Sequence, residues 1–169
     1  GVEDDVSASE HLFTDPMEAK MFVEQTGVDS LAIAIGTSHG VNKFVGEPKI
    51  RTDILSEIEK VIPTTPLVLH GASSVPQDVK AELIKYGASL KDAKGVPEEI
   101  LNEVSTKHHI VKINQDSDIR MVTTLAVRKY LTETPTEIDI RKYLGQAKKD
   151  ISAMVKHRIK DVFNTKEIK

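Results

Sequence analysis

Three short apolar runs, Leu31-Ala32-Ile33-Ala34-Ile35, Pro66-Leu67-Val68-Leu69 and Ile110-Val111-Lys112-Ile113, constrain this chain more than any other feature. Each has the length of a strand, and the first two lack polar alternation, which suits strands covered on both faces. The segments between them carry apolar residues at helical spacing. Asp15-Pro16-Met17-Glu18 combines a capping residue, a first-turn proline and a glutamate three residues on, which predicts a helix from about Pro16 to Gln25. Further helices are expected through Ile54, Leu55, Ile58 and Val61, from Pro76 to near Gly87, and from Pro97 through Ile100, Leu101 and Val104. Two long ones follow, from Asp118 to Leu131 and from Ile140 to about Phe163. Strands alternating with helices imply parallel βαβ units with right-handed crossovers, and therefore an α/β fold. Three strands are fewer than a closed eight-stranded barrel of about 250 residues needs. The fold is either small or part of a larger one.

The remaining composition narrows the function classes. Lys plus Arg number 23 against 26 Asp plus Glu, a formal net charge of -3, and neither sign forms a long block. The basic footprint of a nucleic-acid binder is therefore missing, and nucleic acid is not an expected partner. No apolar run approaches the ~18 residues of a membrane span, so a membrane is not expected either. The 169 residues include no cysteine, which excludes disulfides, a thiolate nucleophile and Cys-based zinc sites, and makes the cytoplasm the expected location. The opening Gly1-Val2-Glu3-Asp4-Asp5 is acidic and lacks Met, as expected of a longer protein cut within a mobile loop.

All three runs are followed at once by small or polar residues: Gly36-Thr37-Ser38-His39-Gly40, His70-Gly71-Ala72-Ser73-Ser74 and Asn114-Gln115-Asp116-Ser117-Asp118. In parallel α/β folds the carboxyl ends of the strands collect ligands, so these loops are expected to face one site. His39 and His70 stand at equivalent points of consecutive units, each beside a glycine. They read either as two of the three protein ligands of a catalytic zinc or as strand-end residues bonded to a neighbouring carbonyl. Gly71-Ala72-Ser73-Ser74 offers backbone amides suited to phosphate, with Gly40 and Lys43 as a further amide and cation; the alternative is a helix cap by Ser73 or Ser74. Asn114, Asp116, Ser117 and Asp118 place four polar groups in five positions, more than an N-cap needs. Arg120 is a candidate for phosphate recognition or a plain surface cation. His11, His108, His109 and His157 are expected at the surface.

Read together, Gly-Val-Glu-Asp-Asp, Thr-Asp-Pro-x-Glu-Ala, Ile-Gly-Thr-Ser-His-Gly, Lys-Phe-x-Gly-Glu-Pro-Lys, Pro-Leu-Val-Leu-His-Gly-Ala-Ser, Lys-Gly-Val-Pro-Glu-Glu and Lys-Ile-Asn-x-Asp-Ser-Asp-Ile-Arg follow one another along essentially the whole chain. In this order they resemble the class II, zinc-dependent fructose-bisphosphate aldolases. The resemblance implies a (β/α)8 TIM barrel, with residues 1–169 as the C-terminal part of a single barrel domain, strands six to eight, and residues 1–13 as a mobile loop. It implies that His39 and His70 bind zinc, with a monovalent cation as a second candidate cofactor. Gly40, Lys43, Gly71 and Ser73 match positions that hold the dihydroxyacetone-phosphate end of the substrate, and Asp116 with Ser117 match the loop that completes that site. Asn114 matches the residue contacting the substrate hydroxyls, and Arg120 the arginine that reaches the far phosphate, often across a dimer interface. Glu3 matches the mobile-loop glutamate that moves the proton at the ketose carbon.

The implied reaction is reversible cleavage of fructose 1,6-bisphosphate to dihydroxyacetone phosphate and glyceraldehyde 3-phosphate by a cytoplasmic homodimer or higher homo-oligomer. A tagatose-bisphosphate aldolase and a non-catalytic half-barrel that binds phosphate are the alternatives. The family's acid/base aspartate and third zinc histidine have no counterpart here, so the fragment alone is expected to be inactive. Asp92 and His109 replace usual glycines, and Ser117 replaces the commoner threonine while keeping the hydroxyl.

Overall fold

The computed structural model describes residues 13–37, 50–90 and 92–165. Its first helix, α1 (Pro16–Thr26), starts as its sequence dictates: the Asp15 carboxylate accepts from the amides of Met17 at 2.8 Å and Glu18 at 3.0 Å. Gly27, in the left-handed region at φ 66°, ends it. Then follow β1 (Leu31–Ile33), α2 (Thr52–Val61), β2 (Leu67–Leu69), α3 (Gln77–Lys85), α4 (Glu98–Thr106), β3 (Ile110–Ile113), α5 (Ser117–Glu133) and α6 (Ile140–His157). The α/β expectation holds: the strands form one parallel sheet in the order β1-β2-β3.

Register divides the sheet into two faces. Leu31, Ile33, Leu67, Leu69, Ile110 and Ile113 share the face that packs on the main core, where Leu55 and Ile58 of α2 and Leu101 and Val104 of α4 are fully buried. Ala32, Val68 and Lys112 are aligned on the other. A smaller core joins Val75, Leu83, Ala93 and Met121, with Val79 and Leu125 against it.

Several expectations need correction. The first apolar run is not a five-residue strand covered on both faces, since Ala32 is exposed and the ladder stops at Ile33. Its next backbone groups are taken by other segments: Ala34 exchanges bonds with the amide and hydroxyl of Thr14, both at 2.8 Å, and the Ile35 carbonyl accepts from Arg51 N at 2.8 Å. The third run contains a bulge. Leu67 pairs with Ile110 but Val68 pairs with Lys112, so Val111 is the extra residue and stands 62% exposed. The last helix ends at His157 and widens into a π turn over Arg158–Val162, which turns Arg158 into the protein at 3% exposure. His108 is also not a free surface residue, because its Nδ1 lies 3.0 Å from Glu59 Oε2.

Leu69, fully buried at the centre of the sheet, gives this packing a test. Leu69→Ala is expected to lower the stability measured by urea unfolding by roughly 2–5 kcal/mol, against less than ~0.5 kcal/mol for Ile138→Ala at a 92% exposed position.

Candidate functional site

The bulge at Val111 decides what meets at the carboxyl end of the sheet. Side chains alternate along a strand, so one inserted residue transfers every later side chain to the opposite face. Without it, Ile113 would stand beside His70. With it, Ile113 packs into the core and Asn114 comes beside His70, its Nδ2 3.1 Å from the ring's Nδ1 and 3.3 Å from Nε2. Lys112, two residues back on the same face, donates from Nζ to Asn114 Oδ1 over 2.6 Å.

The loops after β2 and β3 are tied together by further bonds. Asn114 N donates to the Leu69 carbonyl at 2.9 Å, Ala72 N donates to the Asn114 carbonyl at 3.2 Å, and Gln115 Nε2 donates to the Ala72 carbonyl at 3.1 Å. Ser73, buried at 2% exposure, accepts at Oγ from Ser117 N at 3.1 Å. Neither Ser73 nor Ser74 caps α3, whose N-cap position is Pro76, and Asp116 makes no side-chain cap on α5. Asp116 instead pairs with Arg120 at 2.6 Å, both side chains about 70% exposed. A pair so exposed adds well under ~1 kcal/mol, so either charge can exchange its partner for a ligand at little cost.

Asp118 is fully buried and holds the preceding loop by its backbone. Its Oδ2 accepts from Ser74 N at 2.9 Å and Ser74 Oγ at 3.3 Å, and its Oδ1 accepts from Val75 N at 2.8 Å. Those two amides are therefore committed to a carboxylate and are not available to a ligand. Val75 has φ 52°, a conformation that costs a β-branched residue about 1–3 kcal/mol. Arg158 supplies the counter-charge: Nη2 lies 3.4 Å from Asp118 Oδ2 and bonds Ser74 Oγ, while Nη1 pairs with Glu98. Gly95 completes the packing, since a Cβ there would stand 2.3 Å from the Ser74 carbonyl carbon, and Val96 N donates to Ser73 O at 3.0 Å.

The structure thus brings together His70, Gly71 and Ser73 on the loop after β2 with Asn114 and Asp116 on the loop after β3 and Ser117 and Arg120 on the first turn of α5. Glu3, His39, Gly40 and Lys43 lie outside the described residues. Among the described residues no three His, Asp or Glu side chains stand close enough to hold a metal ion, and His70 offers one exposed imidazole at the strand end. Sequence reasoning missed Arg158. Its signal is a cation standing at helical spacing from Ile151, Met154 and Val162, where an apolar residue belongs.

His157 extends the buried network to the surface. Its ring bonds Asp161 at 2.8 Å and Glu98 at 2.9 Å, and these two carboxylates, Asp161 first, raise its pKa above the usual 6.5. Burial opposes ionisation of Glu98, but His157 and Arg158 outweigh it and hold the carboxyl below its usual 4.5. The raised His157 stabilises fully below ~6.5 and loses its contribution as pH rises through its raised value; the lowered Glu98 contributes above ~4.5 and loses it as pH falls through its lowered value. His157→Gln is therefore expected to reduce stability more at pH ~5.5 than at pH ~8.5. Because the ring is 46% exposed, the difference stays below ~1 kcal/mol, read as a shift of the urea midpoint.

Comparison with known proteins adds a second line of observation. Residues 1–167 match the family model described as fructose-bisphosphate aldolase class-II. The fructose-bisphosphate aldolase of Treponema pallidum (strain Nichols) is 47% identical over 177 residues, which cover 98% of this chain and 53% of that protein. The fructose-bisphosphate aldolase of Giardia intestinalis is 47% identical over 163 residues, covering 95% of this chain and 49% of its own length. That of Helicobacter pylori (strain J99) is 43% identical over 162 residues, covering 95% and 52%. The chain spans about half the length of these relatives.

Proposed function

Because the chain belongs to the class II fructose-bisphosphate aldolase family, we propose that it forms the C-terminal part of a (β/α)8 barrel that cleaves fructose 1,6-bisphosphate reversibly to dihydroxyacetone phosphate and glyceraldehyde 3-phosphate. The observation that carries this reading is the meeting of His70 and Asn114 at the carboxyl ends of adjacent parallel strands, within a family match covering both. Residues 1–169 are read as one unit of the barrel, with residues 1–13 as its mobile loop.

His39 and His70 are the proposed zinc ligands in this chain, and the donor chemistry fits, since an exposed imidazole at a strand end offers the nitrogen a catalytic zinc takes. Zinc, when bound, supplies Lewis-acid polarisation of the substrate carbonyl. The other roles belong to the protein. Asn114 turns N–H donors toward the substrate hydroxyls. Gly40, Lys43, Gly71 and Ser73 hold the dihydroxyacetone-phosphate end, with Asp116 and Ser117 completing that side. Arg120, 72% exposed on the first turn of α5, has the reach for the second phosphate, from its own subunit or across a homo-oligomer interface. Glu3 is the proposed base at the ketose carbon, where a positioned carboxylate contributes ~10²-fold to 10⁴-fold. A monovalent cation near the phosphate end is retained as a second cofactor. No described helix is long and apolar enough to cross a membrane, and the absence of cysteine supports a cytoplasmic location.

The test uses a protein that carries these residues within a full-length barrel. His70→Ala is expected to abolish stoichiometric zinc and to lower kcat/KM for fructose 1,6-bisphosphate by ~10²-fold or more. Retention of both zinc and cleavage would remove His70 from the site.

A further inference from the structure

Lys112, Asn114 and His70 form one continuous contact on the sheet face opposite the main core, and its chemistry is directional. An ammonium group has three donors and no acceptor, so of the two ends of a carboxamide it is satisfied only by the oxygen. Lys112 Nζ stands 2.6 Å from Asn114 Oδ1. With the oxygen so engaged, the amide nitrogen must face His70, where it lies 3.1 Å and 3.3 Å from the two ring nitrogens. Lysine and asparagine are two residues apart on one strand face, so the contact needs no loop rearrangement, and the bulge at Val111 brings that face to His70.

We propose that Lys112 is a positioning residue of this site: it locks the Asn114 carboxamide against a half-turn, so that N–H donors, and not the carbonyl oxygen, stand beside the His70 ring. The consequence for chemistry rests on the aldolase reading. A carboxamide NH2 has no lone pair for a cation and donates to substrate oxygens. Its flipped form would set an oxygen beside the imidazole, where it would compete as a ligand and could accept from a substrate hydroxyl but not donate to a substrate oxygen. The charge-assisted bond from Lys112 is what makes the two orientations unequal.

Two measurements separate the lock from the reading beneath it. In 15N-labelled chain, the side-chain NH2 protons of Asn114 are expected to show an NOE to the His70 Cε1 proton. The NOE should disappear in Lys112→Met and survive in Lys112→Arg, which keeps a cationic donor. Its absence from the unaltered chain, or its persistence in Lys112→Met, would overturn the proposal; the first of these needs no variant to fold. In a full-length protein carrying these residues, Lys112→Met is expected to lower kcat for cleavage by ~10-fold to 100-fold, with recovery in Lys112→Arg, because small misplacements of a positioned group carry costs of that order. An NOE lost while cleavage is unchanged would uphold the lock and remove Asn114 from the substrate.

Discussion

A single buried carboxylate organises the end of this sheet. Asp118 reaches back from the first turn of α5 and accepts two backbone amides and a hydroxyl of the loop that follows β2. A buried carboxylate without compensation costs several kcal/mol, and here the hydrogen bonds are charge-assisted and Arg158 provides the opposite charge. Removing Asp118 would leave the Ser74 and Val75 amides without their acceptor, and removing Arg158 would leave the carboxylate buried without an opposite charge. The clasp also explains how Val75 persists at φ 52°: its amide is held by Asp118 Oδ1, and its fully buried side chain packs into the smaller core with Leu83 and Met121. Loop position is thereby fixed by the interior of the protein, not by whatever the loop binds.

Around this clasp the polar residues divide by exposure. Ser73, Ser117 and Asp118 are buried and spend their hydrogen bonds on one another's loops. His70, Asp116 and Arg120 are exposed and hold contacts that can be exchanged. A site built this way has rigid walls and replaceable partners at its surface, which suits repeated binding and release of a charged substrate.

Most of the element order was legible because it depends on local signals. Asp15 with Pro16 marks the start of α1, Gly27 its end, and among the described strands the apolar run Leu67–Leu69 is the one with neighbours on both sides and burial throughout. What was not legible depends on contacts distant in sequence. The end of β1 is set by Thr14 and Arg51, which take the backbone groups of Ala34 and Ile35. The bulge at Val111 follows from pairing with β2, and nothing local in Ile110–Ile113 signals it. Asp118 looked like one more residue of a polar cap, and only its distance to Ser74 and Val75, more than forty residues earlier, reveals its role. The candidate site residues found from the sequence were those carried by motifs; Lys112 acts through a neighbour and carries no signature of its own, and Arg158 shows only as a cation at an apolar helical position.

The most direct measurement of this account is amide hydrogen exchange at Ser74 and Val75. Both N–H groups sit in a loop, outside any helix or strand, and would ordinarily exchange through local opening. If Asp118 holds them as described, their exchange should be slowed to within about tenfold of the amides of Val68 and Leu69 in β2, because releasing them requires breaking the buried network. Exchange at the rate of solvent-facing loop amides would contradict the account, and with it the idea that the interior fixes the loop on which His70, Gly71 and Ser73 stand.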